Sequence, residues 1–446
     1  MSSRPAPSGT SRPVQEFLRA RNAWNRFYGF ASYARSALWI VPLIAILVVL
    51  ALAPALRALD VVTQWHITGL DAAGAQALYQ TVITLALSFM VFTFGSLLVA
   101  IQVASGQLTP RIIATTLLRD NVVRFSVGLF VFSLVFSVMS LNRLENRVNE
   151  LGTLLAALLG VACMANFLFL IDYAARLLRP VSIVARVCDQ GLTVIEAVYP
   201  QMCGDSDAAP HPPPVPAAAR LVSHVGNSGI VLAVDLASLT REAQRCDGVI
   251  ELIPQVGDFV AYEEPLFALH GGAVLSDDRT LRAAVAFGVE RTLEQDPLFA
   301  FRIIVDIALK ALSPAINDPT TAVVAIDQVH RLLRAVGKRR LQGEAVLDAR
   351  GDMRVVCRTP NWEDFVNVAC HEIRCCGVGQ VQVARRLRAM LDNLHASLPH
   401  HRVPVLDAQR DQLDRMVDTS YPLAEDRELA RQPDRQGLGA SPSRNG

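Results

Sequence analysis

The chain has 446 residues, 52% of them apolar, and a formal net charge of +1. Near-neutrality removes nucleic acid from consideration, because a protein that tracks a phosphate backbone gathers a basic face. An apolar share above the ~45–50% of ordinary globular chains points to a bilayer, and the length leaves room for a further domain beyond it.

Residues 1–35 form a basic leader. Arg19, Arg21, Arg26 and Arg35 are interleaved with Trp24, Phe27, Tyr28, Phe30 and Tyr33, the mixture expected at a lipid headgroup interface. Residues 36–177 then hold four apolar runs, at 36–56, 72–110, 125–142 and 151–171, with charges at their edges and none inside. A bilayer core takes about 20 apolar residues per helix. The expected fold class is therefore a polytopic α-helical membrane domain of four transmembrane helices, followed by a cytosolic α+β region with a small β module and helical segments. The first run is too long and too far from the start for a cleaved signal segment, so it is expected to stay as an anchor. Arginines between the runs alternate rich, poor, rich, poor, rich, which puts both termini in the cytoplasm. Cys163 lies in a run and the other seven cysteines follow the last one. None falls in a loop expected outside, so all eight read as free thiols.

Beyond the fourth run, 178–218 reads as a cytosolic helix continuing from the span, ended by a stiff linker around Pro210 and Pro212–Pro214. A small β-rich module is expected over 219–275. It has strands at Gly229–Val234, Val249–Pro254 and Pro265–His270, a helix capped by Asp235, and a turn at Gly257–Asp258. A mainly helical domain covers 276–425, with helical patterns dominant from Thr280 to Val336 and from Trp362 to Leu398. The tail, 426–446, is polar and expected to be disordered.

Three segments carry a resemblance: Ser105-Gly-Gln-Leu-Thr-Pro-Arg111, Glu294-Gln-Asp-Pro-Leu-Phe299 and Ala311-Leu-Ser-Pro-Ala-Ile-Asn-Asp-Pro-Thr-Thr-Ala322. They resemble marker segments of a bacterial family described as a predicted membrane protein, domain of unknown function twenty-two fifty-four. The resemblance runs from the first span to about Ser420 and implies a multi-pass protein of the bacterial inner membrane. The matching positions are Gln107, Pro110, Arg111, Asp296, Pro297, Ser313, Pro314, Asn317, Asp318, Pro319 and Thr320, and the resemblance assigns them no role. Ala315 stands where the family pattern leads one to expect glycine. A weaker similarity links 229–269 to half of a barrel-sandwich hybrid, the fold of biotinyl and lipoyl carriers. Carriage is excluded, because no lysine occurs between residues 219 and 272. Glu263 also replaces the usual turn glycine there.

Chemistry-bearing patterns are few. No nucleophile elbow, zincin helix or phosphate loop occurs, so no enzyme activity, cofactor or metal is expected. Cys370-His371-Glu372 with Cys375 and Cys376 offers two potential metal ligands on one helix face, against the plainer reading of core cysteines. Asp318 with Pro319 reads as an N-cap and first helical residue, with a polar site at that helix start as the alternative. In the second span Thr81, Ser88, Gly95 and Gln102 recur every seven residues, with Thr84 and Ser105 beside them. Seven residues are nearly two helical turns, so these share a face. Such a face either packs helices closely or lines a polar path in an oligomer. The functional expectation is a channel-like or transport-related homo-oligomer contacting lipid, with a cytosolic regulatory region. The alternative is a membrane-anchored scaffold or sensor acting on a cytosolic protein partner.

Overall fold

In a computed structural model, residues 39–63, 69–107, 121–144, 148–177, 179–204, 217–341 and 345–440 are described. The chain divides into an apolar unit, 33–183, and a second unit built from 184–446.

The apolar unit contains α1 (Ile40–Thr63), α2 (Ala72–Gln107), α3 (Asn121–Leu141) and α4 (Glu150–Leu177). All four are long and apolar enough to cross a membrane. Helix α3 packs against the other three because it carries small side chains on its buried face. A Cβ on Gly128 would come within 2.7 Å of Val41 Cγ1 on α1, and one on Gly160 within 3.0 Å of Val82 on α2. Close backbone approach of this kind replaces the hydrophobic drive that lipid cannot supply between helices. Buried polar groups pair across the bundle. Tyr79 and Thr153 share a hydrogen bond of 3.1 Å, Ser126 donates to Asn166 Oδ1 at 3.1 Å, and Cys163 donates to Ser133 at 3.2 Å. Phe89 stacks on Phe167 at 4.1 Å between ring centres.

The second unit follows with α5 (Pro180–Val198), β1 (Arg220–Ser223), β2 (Gly229–Val234), α6 (Leu236–Cys246), β3 (Gly248–Leu252), β4 (Phe259–Val260), β5 (Pro265–Gly271), α7 (Asp278–Arg282) and β6 (Val285–Gly288). The remainder is α8 (Pro297–Ala311), α9 (Pro319–Gly337), β7 (Ala345–Leu347), β8 (Met353–Cys357), α10 (Trp362–Cys376), α11 (Val381–Ser397), α12 (Val403–Ser420) and α13 (Ala424–Arg431). One sheet has the order β1-β5-β3-β8-β7 and the other β4-β2-β6. Strand β3 buries alternate residues, the period of a half-buried strand, and β2 does so from Gly229 to Ala233. Strand β5, between β1 and β3, is buried on both faces from Leu266 to His270. Val231, Ile250, Leu252, Phe267, Leu269 and Val355 form the core that joins the sheets, closed by Leu239 and Ala243 of α6. Asp235 caps α6 by accepting from Ser238 N at 3.0 Å.

Four expectations are corrected. The span does not continue unbroken, because α4 ends at Leu177 and Pro180 opens α5; a proline lacks the amide a continuous helix needs. The β module is not closed at 275: β6 pairs with β2, and β8 lies parallel to β3 with Leu252 opposite Cys357. Helix does not dominate from Thr280, since 289–296 is irregular and α8 begins at Pro297. The tail is ordered over residues 427–440, and 441–446 lie outside the described residues. Arg385, 1% exposed, donates to the carbonyls of Gln432, Gly439 and Ala440 at 3.1, 2.9 and 2.7 Å, and Asp434 accepts from the amides of Gly437 and Gly439. A polar, glycine-rich stretch is thus ordered by satisfying a buried guanidinium.

Candidate functional site

Two places collect the singled-out residues: the outer face of α2 and the ends of α8. On α2, Thr81, Thr84, Ser88, Gly95 and Gln102 are all exposed. Among the described residues, a Cβ on Gly95 would meet nothing within 4 Å. The hydroxyls of Thr81 and Thr84 donate to their own helix, at Ala77 O (2.8 Å) and Gln80 O (2.9 Å). The stripe therefore does not pack the helices of its own bundle. That task falls to Gly128, Gly160, Ser126, Ser133 and Cys163, which the sequence pattern of α2 could not reveal. Gln107 ends α2, while the side chains of Ser105 and Gln107, and all of Pro110 and Arg111, lie outside the described residues.

The two C-terminal family segments sit at opposite ends of α8. With 15 residues at 1.5 Å each, the helix holds them about 22 Å apart, so they do not form one site. At the far end, Leu312 closes α8, and Ser313 donates to Lys310 O at 2.7 Å. Pro314 and Thr320 are exposed. Asn317 adopts φ +48° and accepts from Gln380 Nε2 at 3.0 Å. Left-handed backbone favours Gly, Asn or Asp, so the strained position falls at Asn317 and the alanine at 315 costs no backbone strain. Asp318 caps α9, accepting from Thr321 N at 3.0 Å and from Thr321 Oγ1 at 2.5 Å, with Pro319 as the first helical residue.

At the near end, Asp296 caps α8 by accepting from Phe299 N at 3.0 Å, again followed by proline. It is 3% exposed, with Arg291 Nε 3.4 Å from Oδ2. Burial raises its carboxyl to about 6, against the pull of the Arg291 charge. Asp296 and Pro297 form one wall of a cavity of about 410 Å³, within the roughly 300–1,000 Å³ of small-molecule sites. The other walls are Tyr199 after α5, Val234 at the end of β2, and Leu252 and Cys357 at the ends of β3 and β8. Arg358 stands beside them. Burial pushes the Tyr199 phenol up. The cavity thus lies past the carboxyl ends of two parallel strands, where α/β sheets commonly bind ligands. Sequence reasoning found Asp296 and Pro297 but missed Tyr199, Arg291 and Cys357. The available signal was the repeated Asp-Pro pair, which marks both helix starts.

The cysteine cluster on α10 separates in space. Cys370 is buried, with its thiol pushed up to about 12 by that burial. Glu372 is held by Arg302 through bonds of 2.6 and 2.9 Å, and Cys375 and Cys376 are exposed.

Four helices of spanning length and composition are carried in one chain with a mixed α/β unit, an architecture consistent with a multi-pass membrane protein. The chain belongs to the family described as Predicted membrane protein (DUF2254), whose profile matches residues 35–393. It is 26% identical over 410 residues to uncharacterised proteins of Mycobacterium bovis and Mycobacterium tuberculosis, spanning 87% of this chain and 78% of each relative. No solved structure matches it.

Proposed function

We propose that the chain is a homo-oligomeric, channel-like or transport-related protein of the bacterial inner membrane. Four helices span the bilayer, both termini face the cytoplasm, and the second unit is cytosolic and regulatory, with no catalysis of its own. The observation that carries this reading is the direction of the α2 stripe. Hydroxyls, a glycine and a glutamine point away from their own bundle, where lipid gives a polar side chain no partner. A second copy bringing the same face would enclose them as a polar path or as a close seam.

The test places thiols on that face. In the assembled protein, Ser88→Cys and Gln102→Cys should react with a small hydrophilic thiol reagent, since reaction needs water at the sulfur, and liposomes carrying the protein should pass solute or current. Unreactive thiols together with absent flux retire the channel reading. For topology, Asn149→Cys should be labelled from outside intact cells by an impermeant reagent and the exposed Cys375 should not. The second reading, a membrane-anchored sensor or scaffold, is favoured by the cavity at Asp296 and predicts a ligand or protein partner without flux.

A further inference from the structure

Residues 201–203 run beside the segment that leaves α9. Cys203 N donates to Lys338 O at 2.8 Å, Arg340 N donates to Gln201 O at 2.9 Å, and Met202 bridges to Arg339. These bonds fix the backbone of Cys203 beside 338–340, and Arg402 of the short helical turn His400–Arg402, which joins α11 to α12, donates from Nη2 to Arg339 O at 3.4 Å. That turn is itself anchored: Trp362 Nε1 donates to Arg402 O at 2.9 Å, and the Arg402 guanidinium lies 5.5 Å above the Trp362 ring. The result is a convergence of three side chains from two distant parts of the sequence, Cys203 on one side and the neighbours His401 and Arg402 on the other. Cys203 Sγ is 3.6 Å from His401 Nε2, and the Arg402 guanidinium interacts with the same sulfur. Arg402 is 9% exposed, and its Nε has no hydrogen-bond partner among the described residues. Cys203 is half-exposed and His401 exposed, so a small molecule can reach both.

A thiol with a base in contact and a buried cation alongside has the parts of a nucleophile. We propose that Cys203 is a modification site that forms mixed disulfides with low-molecular-weight disulfides. His401 Nε2 takes the thiol proton as Sγ attacks one sulfur of the incoming disulfide. The S–S bond breaks, a new S–S bond joins Cys203 to that half, and the departing thiolate leaves beside Arg402 and takes the proton from His401. Cys203 is oxidised to the mixed disulfide, and the incoming disulfide is reduced, one half departing as free thiol. The added group sits where 201–203 pair with 338–340. This inference is independent of the membrane reading.

The test treats the full chain in detergent with oxidised glutathione and follows each cysteine by peptide mass spectrometry over time. Cys203 should be modified about tenfold or more faster than exposed Cys375, and His401→Gln should lower the Cys203 rate by about tenfold or more, as loss of a positioned base does. The Cys375 rate should not change, and buried Cys370 should remain unmodified, reporting an intact fold. Equal rates at Cys203 and Cys375, or a Cys203 rate indifferent to His401→Gln, overturns the proposal. If His401→Gln exposes Cys370, the Cys203-to-Cys375 ratio in the parent chain decides alone.

Discussion

Replacing Asp296 by asparagine should stabilise the second unit at neutral pH, although it removes a charge that faces an arginine. The carboxyl is 3% exposed and titrates at about 6 instead of 3.8, so the fold prefers it protonated. For an acid raised in this way, stability is fully present below the unfolded value. It is lost as pH rises through the interval from 3.8 to about 6. A separation of about two pH units, at ~1.4 kcal/mol each, amounts to roughly 3 kcal/mol of cost above pH 7. Asparagine caps a helix about as well as aspartate and keeps an acceptor for Phe299 N. The partner loses little, since Arg291 Nε makes no hydrogen bond at 3.4 Å and its side chain is 32% exposed. Thermal unfolding of the full chain in detergent should show Asp296→Asn melting about 6–12 °C higher at pH 8, for a unit of this size. The gain should shrink steadily toward pH 4. A destabilisation of equal size at acid and neutral pH would show that the ion pair outweighs desolvation, and the reasoning would fail.

Gly257→Val should cost more than about 3 kcal/mol, because positive φ penalises any L side chain by ~1–2 kcal/mol and a Cβ there would lie 2.1 Å from Arg291 Nη2 and 2.6 Å from Asp296 Oδ2. A melting temperature equal to the parent's would refute the turn assignment. Asp318→Ala should cost about 0.5–2 kcal/mol and speed hydrogen exchange at the first amides of α9, with Asp318→Ser restoring most of it; unchanged exchange at Thr321 would refute the cap. Arg385→Met removes three donors to the tail carbonyls at Gln432, Gly439 and Ala440. At ~1.5 kcal/mol or more per charged hydrogen bond, the tail beyond α13 should become protease-sensitive, whereas a tail as resistant as the parent's would show that other contacts hold it.

The sequence by itself determined what depends on local chemistry. Four helices follow from run length alone, since a bilayer core fixes how many apolar residues a helix needs. The starts of α6 and α9 were carried by Asp235 and Asp318, because an N-cap bond spans only two or three residues. The departure at Glu263 was legible too, and the structure gives it φ +66°, the conformation glycine would have taken. Tertiary structure alone decided what depends on residues far apart in the chain. The partnering of β3 with β8 joins segments about a hundred residues apart, and strands of three to five residues carry too little pattern to announce it. The same holds for the cavity wall, where Tyr199, Asp296 and Cys357 meet only after both sheets and α8 are in place. The face of α2 makes the distinction sharpest. Its seven-residue spacing was plain in the sequence, but its direction was set by α3 and α4, which take α2 by its other side, Gly160 against Val82 and Thr153 bonded to Tyr79.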